Sequence, residues 1–142
     1  MAKFSIVDSG DLLSEIDKIQ SDSERISKRA VYEAAGIVAD SIRDGLHAVL
    51  ASSTTSTGDL ERSLGIARIE RDSSGSISTA ISFGGYDRRG DPNPVKARSL
   101  EYGNARGQKK RPFLKKAVQA AEGKAIDAME QAVDAELQKI TQ

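Results

Sequence analysis

The chain has 142 residues, no cysteine, and 21 basic side chains balancing 21 acidic ones. With 38% hydrophobic and 30% charged residues, it reads as a soluble globular chain of one domain, 1–142, without disulfides or thiolate metal sites. No apolar run reaches the roughly 18 residues of a membrane span, and MAKFSIVDSGD lacks the apolar core of a secretory signal, so neither is expected.

In chain order, residues 9–20 predict a short helix with Leu12, Leu13, Ile16 and Ile19 on one side. Ser21 and Glu24 have the spacing of a capping box, which predicts a fresh helix start. Ile26, Ala30, Ala34, Ile37, Val38, Ile42, Leu46 and Val49 then form one apolar stripe, giving a long helix over about 22–50. Gly36 and Gly45 weaken that helix or permit close packing. The small polar run ASSTTSTG stops it, and a single turn follows over Asp59–Ser63.

LGIARIERD and SISTAISFGG flank the turn SSG and predict a β-hairpin. Ile77, Thr79, Ile81 and Phe83 alternate with Ser78, Ala80 and Ser82, as in a strand buried on one face. Gly, Pro and Asp mark GGYDRRGDPNP as a loop, and 85–111 as a whole reads as a flexible loop region. Two strands alone are marginal, so a third is expected around Ala97–Tyr102, or borrowed from a neighbour. From Pro112, placed as the first helical residue, Phe113, Leu114, Ala117, Val118, Ala121, Ala125, Met129, Val133, Leu137 and Ile140 follow helical spacing. The predicted fold is α+β: two long amphipathic helices on a small antiparallel sheet containing a hairpin.

No catalytic constellation emerges. His47, the only histidine, sits inside the long helix; no GxSxG frame surrounds a serine; no GK[ST] follows the glycines of GGYDRRG. Asp40 and Asp44 have the i, i+4 spacing common on solvated helices, so neither a metal nor a cofactor is expected.

Charge is unevenly spread. Residues 96–116 hold eight basic side chains and one acidic one; residues 117–142 hold two and five. Lys96, Arg98, Arg106, Lys109, Lys110, Arg111, Lys115 and Lys116 are placed to meet phosphates, an acidic neighbour or solvent. Only Tyr102 and Phe113 interleave with them, which makes a poor stacking platform for nucleic acid. A nucleic-acid-binding accessory role for 96–116 stays open as the alternative function.

Three short motifs recur in a telling order. TSTGDLERSLGI follows the long helix, LEYGN comes some forty residues later, and RPFLKKAV opens the last helix. The order resembles the tail-completion or minor tail proteins of long, non-contractile-tailed lambdoid phages. The resemblance rests on Thr57, Gly58, Leu60, Ser63 and Leu64, on Glu101, Tyr102 and Gly103, and on Pro112, Phe113 and Leu114, and spans about 10–140. Ser56, Asn104 and Lys115 stand where that pattern often has Pro, Thr and Pro.

The resemblance implies a non-enzymatic virion protein, made in the host cytoplasm, that completes the tail and joins it to the head. It implies a homo-oligomeric ring of six, touching a head connector and the tail tube or terminator, with channel DNA inside and no membrane. Arg106, Lys109, Lys110 and Arg111 would then face either a neighbouring subunit or the DNA.

Overall fold

The structure, a computed structural model, describes residues 9–51, 53 and 56–141, with side chains from Asp17 to Ile140. Helix α1 (Ser9–Leu50) is followed by a single turn, α2 (Asp59–Arg62). Strands β1 (Leu64–Ile66), β2 (Glu70–Arg71), β3 (Ile77–Ser78) and β4 (Ile81–Phe83) come next, then α3 (Asn93–Tyr102) and α4 (Leu114–Thr141). The architecture is α+β, with two long helices over a small antiparallel sheet.

α1 is one helix of 42 residues, about 63 Å long, where a break at Ser21 was expected. No proline or glycine lies between Gly10 and Gly36 to stop it. Glu24, the expected capping partner, instead pairs with Lys28 at 2.8 Å and Arg71 at 3.3 Å. Leu12, Leu13 and Ile16 lie outside the described side chains, as Ser52, Thr54 and Thr55 lie outside the described residues; Ile19 is exposed.

α4 runs antiparallel to α1. Arg25 pairs with Glu136 near one end, and Ser41 Oγ donates to the Ala117 carbonyl at 2.8 Å near the other. The seam is made of small residues: Ala30, Ala35 and Ala39 on α1, and Ala117, Ala121 and Ala125 on α4, all buried. The buried line therefore runs through Ala35 and Ala39, not through the larger Ala34–Ile37–Val38 side of the predicted stripe, which flanks it half-buried. At Gly45 a Cβ would sit 3.5 Å from Ala117 Cβ and 3.5 Å from the Phe113 carbonyl. Close helix approach follows from this run of small side chains.

The hairpin is present in two short ladders. β1 pairs with β4 in the register Leu64↔Phe83, and β2 with β3 in the register Glu70↔Ser78. Between them Ala67 N donates to the Ala80 carbonyl at 2.7 Å and Thr79 Oγ1 to the Ala67 carbonyl at 2.6 Å. The period-two pattern holds, since Ser78, Ala80 and Ser82 face outward.

The expected third strand over Ala97–Tyr102 is instead helix α3, inside the stretch read as loop. Pro92 is its N-cap residue and Pro94 lies in its first turn, where a missing N–H breaks no helical bond. Asn93, Ala97, Leu100 and Glu101 are buried at helical spacing. Ile42, Leu46, Leu60, Leu64, Phe83, Leu100 and Phe113 join the seam in one core, with the Phe83 and Phe113 rings edge to face at 6.0 Å.

α4 starts at Leu114, so Pro112 precedes the helix rather than opening it. Phe113 anchors the core, but Leu114, expected beside it, is 36% exposed. Removing the Phe113 ring should cost about 3–5 kcal/mol. Gly45→Ala should be neutral or stabilising by up to about 1 kcal/mol, because a methyl meets only ordinary contacts there. Chemical denaturation of F113A and G45A checks both.

Candidate functional site

The three motifs converge around the C-terminal end of α1. Gly58 holds φ +79°, a left-handed turn that suits glycine, and it is the N-cap of α2. Thr57, expected as the cap residue, lies one position earlier; its Oγ1 accepts only a long bond, 3.4 Å, from Asp59 N. Leu60 and Leu64 are buried in the core, and Ser63 closes the turn by donating to the Leu60 carbonyl at 2.6 Å. The Ser63 carbonyl accepts from Gly84 N at 3.1 Å, tying the turn to the hairpin.

Asp59 is the charged hub of this turn. Arg88 donates to it through Nε at 2.9 Å, Nη2 at 3.0 Å and its backbone N at 3.1 Å; Arg62 pairs with it as well. Arg88, then Thr57 and Arg62, hold its carboxyl far below the usual carboxylate range. The loop carrying Arg88 is thereby locked to the motif.

Glu101 joins the second motif to the third. Its side chain is 6% exposed, and its carboxylate accepts from Phe113 N at 2.9 Å, Leu114 N at 2.7 Å and Lys115 N at 3.3 Å. These are amide donors at the start of α4, which lack partners within their own helix. Burial pushes this carboxyl up, but the three N–H donors and the charge of Lys116 outweigh it, and the net shift is downward. Gly103 ends α3 at φ +78°, with its N–H on the Ser99 carbonyl. Tyr102, between them, is 73% exposed.

The basic loop is folded by its own turn chemistry. Asn104 Oδ1 accepts from Arg106 N and Gln108 N, both at 3.0 Å, with Gly107 at positive φ. Asp72 does the same for Ser74 and Ser76, and Asp87 for Arg89 and Asp91, again with glycine at the fourth position. The pattern Asp/Asn-x-x-Gly stands three times in the sequence and was legible as a turn signal.

The basic side chains do not form one set. Arg111 points inward, donating through Nη1 to the Val49 carbonyl at 3.1 Å, and its backbone N bonds the Leu100 carbonyl. Lys96 pairs with Asp87 at 2.8 Å. Arg98, Arg106, Lys109, Lys110, Lys115 and Lys116 are exposed, with no side-chain partner among the described residues. A cleft of about 430 Å³ opens between the Thr57–Leu60 turn, the Asp87–Pro92 loop, α3 and the basic loop. Arg106 and Arg111 line it together with Thr57, Gly58 and Leu60.

Among the described residues no group of three or more His, Asp and Glu is placed to hold a metal, and no helix is long and apolar enough to cross a membrane. His47 is exposed and contacts Glu61 at 3.2 Å; Asp40 is bound to Arg43.

This is a protein whose motifs build a scaffold and a charged surface. Residues 10–103 match the HK97-gp10-like family, described as "Bacteriophage HK97-gp10, putative tail-component", and the chain belongs to that family of phage tail components. It thus falls within the tail-completion and minor tail class of the siphoviruses, whose place is the virion. The match covers the first two motifs and stops before Pro112–Leu114. No curated protein and no solved structure matches the chain.

Glu101→Gln removes the charge from the α4 cap and should cost about 1–2 kcal/mol at neutral pH. A depressed folded pKa stabilises above the unfolded value, near 4.5, and that stability is lost as pH falls through the folded value. The gap between wild type and E101Q should therefore be full at pH 7 and narrow below about pH 4.5, as read by denaturant titrations across pH.

Proposed function

We propose that this tail component acts at the head–tail junction, as a closed ring of identical subunits, six in its simplest form, that completes the tail and joins it to the head connector. It carries no reaction in this reading. The reading rests on the family and on one structural observation, the separation of charge along the molecule.

α1 and α4 run antiparallel, with Arg25 on Glu136 and Ser41 on Ala117, so residues 17–41 lie beside 117–141, and that part of the pair carries ten carboxylates against six basic side chains. The basic segment gathers at the other end, where Arg111 meets Val49 and Phe113 meets the core. The two ends are about 40 Å apart along α1. A closed ring needs heterologous contacts, in which one patch meets a different patch on the next subunit. Opposite charges at opposite ends suit that arrangement, and they also select orientation during encounter.

The second reading, nucleic-acid binding through 96–116, draws on the six exposed, unpaired cations. In a ring they would line the channel and meet DNA non-specifically. Duplex binding that falls steeply with salt would favour it.

Deleting the gene from its phage should yield full heads and finished tails that stay apart in electron micrographs, with joining restored by the protein supplied in trans. Joined particles in the deletion would overturn the proposal. R106E/K109E/K110E should abolish ring assembly if the loop meets a neighbour. An intact ring with defective DNA retention would point to the channel.

A further inference from the structure

The two long helices leave an apolar face unused. α4 buries its alanines against α1 and turns its larger residues outward: Ile126 is 49% exposed, Leu137 46% and Ile140 45%, with Val118 and Met129 beside them. They recur at alternating steps of eight and three, which at 3.6 residues per turn keeps them on one stripe along the helix. The sequence pattern had placed the large and small residues on a single inward face. Asp127, Glu130 and Asp134, at i, i+3 and i+7, form an exposed ridge next to the stripe, with no ion-pair partner among the described residues.

α3 has the matching character. Val95, Arg98 and Tyr102, again i, i+3 and i+7, are its exposed face, and the loop beyond adds Arg106, Lys109 and Lys110. Val95 and Arg106 also line the 430 Å³ cleft, which gives this face a recess. One surface is apolar with an acidic ridge; the other is apolar and aromatic with basic flanks. They lie at opposite ends of the subunit, so one copy cannot satisfy itself.

We propose that the outer face of α4 in one subunit docks on the outer face of α3 and the basic loop of the next. This rests on the ring reading and names its contact: the stripe Ile126–Ile140 against Val95 and Tyr102, and Asp127, Glu130 and Asp134 against Arg98, Lys109 and Lys110. The charges set orientation and on-rate, and the apolar residues supply the area removed from water.

Two charge-reversed full-length variants test it: D127K/E130K/D134K and R98E/K109E/K110E. All six positions are exposed, so both should keep the wild-type thermal melt. Sedimentation at low salt, over a range of concentrations, reads self-association. Wild type should associate, each variant alone should associate at least about tenfold more weakly, and an equimolar mixture should recover, because each bears the face the other needs. Undiminished association of D127K/E130K/D134K would overturn the α4 contact while leaving the ring standing, as would failure of the mixture to recover. Wild type that stays monomeric and yields no carbodiimide cross-link between Lys109 or Lys110 and the α4 acids would overturn it too. The ring reading fails separately, if wild type does not enter the head–tail junction.

Discussion

The carboxylate of Glu101 is the contact on which the arrangement depends. It is buried, yet held ionised by three backbone N–H groups at the start of α4. A buried charge without such donors would be costly, and so would an uncapped helix start beside the core. Each is the solution to the other. Lys115 and Lys116 stand at the positive end of the α4 dipole, a placement that works against the helix. The negative charge beneath them offsets that conflict and allows a basic surface exactly where α3 and α4 meet the loop.

From this joint the rest follows. With its first turn pinned to α3 and Phe113 in the core, α4 runs back along α1 on a seam of alanines and Gly45. The small seam brings the helices close and leaves little large apolar surface between them, so Ile126, Leu137 and Ile140 remain outside. Antiparallel return also carries the acidic second half of α4 away from the basic loop. A subunit with a cation-rich end, an acidic end and an unused apolar stripe is suited to the repeat contacts with its own copies that the proposed ring requires.

Much of this was legible in the sequence. The two long helices, the hairpin and its buried face came from periodicity, and the ordered motifs pointed to the family. The misses have physical causes. Pro92 and Pro94 read as loop formers, though proline is at home in a first helical turn, and so α3 went unseen. The capping-box spacing at Ser21 did not start a new helix, because no proline or glycine between Gly10 and Gly36 interrupts the one already running. Periodicity could count the apolar positions on α4 but not decide which half faced inward; the size of the residues on α1, Ala35 and Ala39 above all, decided that. Nor could spacing distinguish Arg111, which braces the end of α1, from Lys109 and Lys110, which face solvent. Glu101 was visible as part of a motif, but its role as the cap of a helix twelve residues on depends on tertiary proximity.

The central claim is that a polar subunit is built to meet its own copies end to end. A three-dimensional reconstruction of the head–tail junction from intact particles tests it most directly. The account predicts a closed ring in which α4 of each subunit lies on α3 and the basic loop of its neighbour. A junction without this protein, or a ring in which the α4 stripe faces open solvent, would contradict it.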